Sequence, residues 1–217
     1  MTLAPAGLLR ERIEDGERFD LFASASMAHP LRLAALGKAT DPTCFARNRF
    51  CVIARAALQL TPQTLIDRLA DPNIRIGMST PGDDPSGDYA FEVFDHIERT
   101  HPGLGADLKQ RAQQLVGGRN SPSAPPGKGP GYLISDGTVD LMMAYASNAA
   151  RLRTDPSFTV VEIPPAYAPR VEYGLALSAS GSSGSRQRAE ALAQFILSDH
   201  GQTILRSAGF LGVDDPV

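Results

Sequence analysis

Residues 73–95 constrain the fold most tightly. Asn-Ile-Arg-Ile-Gly-Met-Ser is a buried-strand pattern, Thr-Pro-Gly-Asp-Asp-Pro-Ser-Gly-Asp-Tyr is a turn, and Ala-Phe-Glu-Val-Phe-Asp starts a helix. A strand that passes so directly into a helix leaves the helix's first N–H groups at the carboxyl end of the strand, where open α/β sheets hold small anions. The same geometry also serves as a plain structural link, so the segment alone leaves both readings open.

Strand, small polar turn and helix recur at Ala23–Met27, Ser79–Tyr89 and Ala144–Ala149. If the sheets are parallel, all three turns lie at carboxyl edges. Further strands are expected at Phe19–Ala23, Arg49–Ala54, Phe158–Ile163 and Val171–Leu177. A first amphipathic helix carries Leu8, Leu9 and Ile13 and stops at Gly16, and the next carries Leu31, Leu33 and Leu36. Thr61-Pro62 reads as an N-cap and first-turn proline ahead of Leu65, Ile66 and Leu69. Leu104 to Val116, Arg186 to Leu197 and Gln202 to Ala208 complete the helices. Gly117–Gly131 holds five glycines and four prolines, and reads either as a surface connection or as a loop whose backbone approaches a ligand. This alternation makes the chain α/β.

The net charge of −3 is spread, with no basic cluster to grip a phosphate backbone, which argues against nucleic acid. An anion held here is therefore held locally. No run of about eighteen apolar residues spans a membrane, and the N-terminus lacks the apolar core of a signal peptide. Cys44 and Cys51 flank Phe-Ala-Arg-Asn-Arg-Phe, read as a turn. A disulfide would need a hairpin that brings their Cα atoms within about 7 Å. The plainer reading is a buried strand Cys51 and an incidental Cys44.

No nucleophile elbow, phosphate loop, dinucleotide fingerprint or His-Glu metal helix is present, so no enzyme activity and no cofactor are expected. His29, His96, His101 and His200 are scattered, and His29 is read as a capping or surface residue. Asp83, Asp84 and Asp88 could face a cation, but Asp84 before Pro85 and Asp88 in the first turn suit helix capping better.

Gly7-Leu-Leu-Arg-Glu-Arg-Ile-Glu-Asp-Gly, Phe19-Asp-Leu-Phe-Ala-Ser-Ala, Pro85-Ser-Gly-Asp-Tyr-Ala, Val139-Asp-Leu-Met-Met-Ala-Tyr-Ala-Ser-Asn-Ala and the closing Phe195-Ile-Leu-Ser and Gly201-Gln segments resemble, in order, the periplasmic molybdate-binding proteins of bacterial ABC importers. The resemblance implies a type II periplasmic-binding-protein fold: two α/β lobes, 1–54 plus 176–217 and 55–175, joined by crossings near Cys51–Arg55 and Tyr173–Leu177. It implies a monomer that binds molybdate or tungstate in a cleft between lobes, works in the periplasm and delivers to ABC permease subunits. The donors it implies are the Ser86 backbone, the Tyr145 hydroxyl and the backbone at Gly127 or Lys128. In the first lobe the family's first strand and its serine loop are missing. Pro5-Ala6-Gly7 replaces its second serine, leaving only backbone N–H groups at Ala6 and Gly7. Either the true start lies upstream of Met1, with a leader and first strand, or the chain is a shortened relative. The alternative function is a cytoplasmic anion- or metabolite-sensing regulatory domain of the same fold.

Overall fold

The computed structural model of the chain describes residues 1–122, 129 and 131–215. These form two compact units, one of Met1–Asn48 with Val171–Val217 and one of Arg49–Arg170. The breaks at 48/49 and 170/171 lie ahead of those expected at 54/55 and 175/176. Hydrogen bonding explains the offset, because each expected crossing segment is a strand that belongs wholly to one unit.

The first unit begins with α1 (Ala6–Glu14), β1 (Leu21–Ser24), α2 (Ala28–Ala35) and β2 (Thr43–Asn48). Gly16, at φ +102°, turns the chain out of α1, a backbone state that glycine alone adopts without cost. The segment between the cysteines is not a turn: it is β2 as far as Asn48, then Arg49, and Phe50 opens the next strand. Strand β2 pairs along the strand Val171–Leu177 through Asn48, so no hairpin closes there, and both cysteines are free.

The second unit holds β3 (Phe50–Arg55), α3 (Leu65–Ala70), β4 (Ile76–Ser79), α4 (Pro85–Thr100), α5 (Leu104–Arg111), β5 (Gln113–Val116), α6 (Tyr132–Ser135), β6 (Leu141–Tyr145), α7 (Ala146–Ala149) and β7 (Phe158–Glu162). Helix α3 starts at Leu65 and not at Pro62. The Thr61 and Thr64 side chains each bond the other's backbone N–H, at 3.2 and 3.0 Å, and close a separate turn ahead of the helix. The helix expected through Val116 ends at Arg111, and Gln113–Val116 instead forms the parallel partner of β4. Back in the first unit come β8 (Val171–Leu177), α8 (Ser183–Leu197) and α9 (Asp199–Ser207).

In the first unit the strand order is β1-β8-β2, antiparallel throughout. The condition of a parallel sheet is thus not met in this unit, and the turn after β1 does not sit on a parallel carboxyl edge. Phe22, Leu33, Ala176, Ile13 and Ala6 form this unit's core. His29 is buried in the first turn of α2 and not at the surface.

In the second unit the order is β5-β4-β6-β3-β7, with β4 parallel to both neighbours and β3 antiparallel to its own. One face packs Cys51, Ile53, Met142, Leu133 and Ile134 together. Helix α4 buries Ala90, Val93, Phe94 and Ile97, the i, i+3, i+4 stripe of a helix laid on a sheet, and packs on β4, β6 and α5. At the opposite ends of β4 and β6 from their helices, buried Asp140 accepts from the Arg75 backbone N–H at 2.8 Å and from its guanidinium Nε and Nη2 at 3.1 and 2.9 Å. Arg55 approaches the same carboxylate at 3.0 Å. The Arg75 side-chain bonds, aided by its backbone N–H and by Arg55, hold the Asp140 carboxyl below its ordinary range against the cost of burial.

Candidate functional site

All four residues of β4 are buried, and Ser79 ends it. The chain then makes a tight turn. Thr80 N–H and Oγ1 both donate to the Val116 carbonyl, at 2.9 and 3.2 Å, which ties the turn to the end of β5. Gly82 takes φ +82°. Asp84 is extended, at φ −125° and ψ 124°, and is the N-cap of α4, with Pro85 at the first helical position. This is the order that helix openings favour: a short acceptor side chain, then a residue without an N–H to lose.

The three aspartates have separate tasks. Asp84 Oδ1 accepts from the Ser86 N–H at 3.0 Å, and Oδ2 accepts from the Ser79 hydroxyl at 3.2 Å. Asp88 Oδ1 accepts from the Gly82 N–H at 2.8 Å. Asp83 Oδ2 accepts from the Arg119 N–H at 2.9 Å, with the Arg119 guanidinium at 3.5 Å from its other oxygen. Among the described residues no group of three or more His, Cys, Asp or Glu could hold a metal ion. Burial pushes the Asp84 carboxyl above its ordinary value, and nearby Asp88 adds to this, while the Ser86 N–H and Ser79 hydroxyl oppose it.

Two glycines make this packing possible. A Cβ on Gly87 would lie 2.5 to 2.7 Å from backbone atoms of Pro81, Thr80 and Ser79. A Cβ on Gly117, at φ +74°, would lie 2.3 Å from Asp84 Oδ2. The opening of α4 is therefore pressed onto its own turn, and the turn onto the segment after β5.

Tyr145 is the last residue of β6, buried and in register with Phe50 on β3. Its ring meets Phe50 edge-on at 5.7 Å and Tyr89 at 6.3 Å, and Phe50 and Tyr89 also lie 6.3 Å apart. Tyr89 stands one helical turn beyond buried Ser86. Since β4 and β6 are parallel neighbours, the opening of α4 and the end of β6 share one carboxyl edge. Ser86 and Tyr145 thus belong to one wall. Gly127 and Lys128 lie outside the described residues. Ala6 and Gly7 are the buried first residues of α1 in the other unit, behind Pro5, which gives no side-chain cap.

Sequence reasoning missed Phe50, Tyr89 and the Ser79–Asp84 bond. Tyr89 had a signal in its three-residue spacing from Ser86. The Ser79–Asp84 bond had none, because it depends on the path of the turn.

The profile of bacterial extracellular solute-binding proteins matches residues 1–211. The chain belongs to that family. An uncharacterized protein of Pasteurella multocida is 38% identical over 213 residues, covering 97% of this chain and 86% of the relative. Among solved structures, the periplasmic molybdate-binding protein of Azotobacter vinelandii aligns with TM-score 0.74 at 20% identity, over 97% of this chain and 85% of its own. The sulfate-binding protein of Mycobacterium tuberculosis aligns with TM-score 0.73 at 19% identity, over 97% and 74%. This solute-binding protein therefore has the type II periplasmic-binding-protein fold expected from its sequence. Among the described residues no helix is long and apolar enough to cross a membrane.

Proposed function

We propose that this solute-binding protein is the binding component of an ABC importer, taking a tetrahedral oxyanion, molybdate or tungstate. It works in the periplasm as a monomer, passes the anion unchanged to the permease subunits in the membrane, and has no catalytic role. The observation that carries the reading is the shared edge in the second unit, where the opening of α4 and the hydroxyl-bearing end of β6 come from parallel adjacent strands. The family match across the chain supports the transport role. Two structural neighbours whose names state molybdate and sulfate binding favour the tetrahedral dianion class.

The chemistry suits that class. A dianion accepts many hydrogen bonds, and charge-assisted bonds are short and strong. A sixteen-residue helix such as α4 adds favourable potential at its N-terminus without a counter-ion. In this reading Ser86 contributes its N–H and Tyr145 its hydroxyl. Calorimetric titration with molybdate, tungstate and sulfate tests it. Saturable binding of the first two supports the assignment, and silence with all three removes it. Tyr145→Phe is expected to weaken molybdate by about 1–3 kcal/mol, the cost of losing one bond to a charged group. Unchanged affinity excludes the hydroxyl as a ligand.

A further inference from the structure

The hydroxyl that the oxyanion reading asks of Tyr145 sits at the far end of a ring, so its place is set by whatever holds that ring. Two other rings of the second unit hold it. Phe50 stands directly across the β3–β6 ladder from Tyr145, and residues so paired project on the same face of a sheet. Its ring meets the Tyr145 ring edge-on, with centroids 5.7 Å apart and planes at 78°. Tyr89 reaches the same ring from α4, at 6.3 Å and 74°. Both contacts to Tyr145 are the edge-to-face arrangement that aromatic pairs favour. Phe50 and Tyr89 close the triangle, with their centroids 6.3 Å apart.

Each supporting ring is itself fixed. Phe50 is 2% exposed, and β3 is bonded on both sides, by β6 and by β7. The Phe50 carbonyl accepts from the Ile163 N–H at 2.9 Å, and the carbonyl of Arg49 before it accepts from the N–H of Ala146, the residue after Tyr145, at 2.8 Å. The backbone under Phe50 is thus tied to the end of β6 itself. Tyr89 is buried with the stripe of α4 that packs on β4 and β6. A tyrosine has two side-chain torsions, and edges applied from a neighbouring strand and from a helix restrain both. A binding group has to be held within about 0.5 Å and 10–20° of its productive geometry, by neighbours whose own rotamers are locked. Leucine at position 50 would be apolar and buried as well, but it presents no flat ring edge and leaves the Tyr145 ring room to tilt.

We propose that Phe50 is a positioning residue for ligand binding: its ring, with that of Tyr89, holds the Tyr145 ring in the orientation that presents the hydroxyl to an anion. The proposal rests on the reading of Tyr145 as a ligand donor. In this role Phe50 need not touch the anion, because it acts through that hydroxyl. Removing the Phe50 ring therefore costs affinity only in a protein that still carries the hydroxyl.

The test is a double-mutant cycle on the full chain, with molybdate affinity read by calorimetry for the wild type, Phe50→Leu, Tyr145→Phe and the two combined. Tyr145→Phe is expected to lower affinity about 5- to 150-fold, the range for one hydrogen bond to a charged group. Phe50→Leu alone should lower it by at least about fivefold, and by no more than Tyr145→Phe does. In the Tyr145→Phe background the same change should alter affinity by less than about twofold, because no hydroxyl is left to misplace. A merely structural role gives equal losses in both backgrounds. That result overturns the proposal, as does a Phe50→Leu protein that binds molybdate like the wild type. If Phe50→Leu does not fold, Tyr89→Leu enters the same cycle from the helix side with the same expectation, and equal losses in the two backgrounds again refute it. If Tyr145→Phe binds as tightly as the wild type, or if none of molybdate, tungstate and sulfate binds, the ligand reading itself fails and the role of Phe50 falls with it.

Discussion

Gly87→Ala is the most direct perturbation of the α4 opening. The added methyl carbon would sit 2.5 Å from Pro81 N, 2.6 Å from the Thr80 carbonyl carbon and 2.7 Å from Ser79 O. All three are backbone atoms, so no side chain can swing away. Relief requires the first turn of α4 to lift from the turn by about half an ångström or more, in a packed interior that resists such shifts. Overpacking of this kind costs about 1–3 kcal/mol, and rigid backbone on three sides points to the upper end. Alanine's better helix propensity returns up to about 1 kcal/mol, less in a first turn. The net expectation is a destabilisation of about 2 kcal/mol, or a Tm lower by roughly 4–8 °C for a chain of this size. Thermal unfolding followed by circular dichroism measures it, with Gly184→Ala as the control. Gly184 also lies in a helix first turn, but a methyl there meets only Arg188 Nη1 at 3.8 Å. The control should be neutral or stabilised by up to about 1 kcal/mol. If both variants melt alike, the close approach of α4 to its turn is refuted.

Three further outcomes follow from the same structure. Asp140→Ala leaves the Arg75 backbone N–H without its acceptor, while the half-exposed Arg75 and Arg55 guanidiniums turn to water, and should cost about 1–3 kcal/mol in denaturant unfolding; no measurable loss would deny Asp140 its role as a clamp. Glu14, hydrogen-bonded by Arg32 of α2 and Arg10 of α1, has its carboxyl lowered from 4.5 to about 2. Its folded value is below its unfolded one, so the α1–α2 tie is fully present above about pH 4.5 and is lost as pH falls toward about 2; Glu14→Gln should flatten that part of the stability profile, and an unaltered profile would contradict the pairing. Cys51, fully buried with its thiol pushed up to about 12 by desolvation, should resist thiol reagents until the second unit unfolds, so prompt native labelling at Cys51 would contradict its burial.

The wall at α4 is legible in sequence because its signals are local. Asp84 before Pro85 announces a cap, the glycine at 87 permits the close turn, and Phe94 and Ile97 mark a buried stripe. Strands β2 and β5 are not legible in the same way. Thr-Cys-Phe-Ala-Arg-Asn and Gln-Gln-Leu-Val carry no clear alternation. Their state is imposed by the free sides of β8 and β4, and tertiary pairing overrides propensity at such edges. The double demand on the Ser86 N–H was out of reach for a different reason. Sequence supplied a cap at Asp84 and a ligand donor at Ser86 as separate expectations, and only the distances disclose that both use one N–H.

The strand order of the first unit has a consequence for how the chain emerges during synthesis. Strands β1 and β2 do not bond to each other, because β8 lies between them and supplies the partners of both. The ribosome reaches β8 only after all of residues 49–170 have been made. The second unit, one uninterrupted stretch, can complete its sheet while the N-terminal segment still waits with two unsatisfied ladders. Nascent chains of this protein therefore pass through an interval in which the later-made half is the folded one, and in which the earlier half is the part that needs shelter from aggregation.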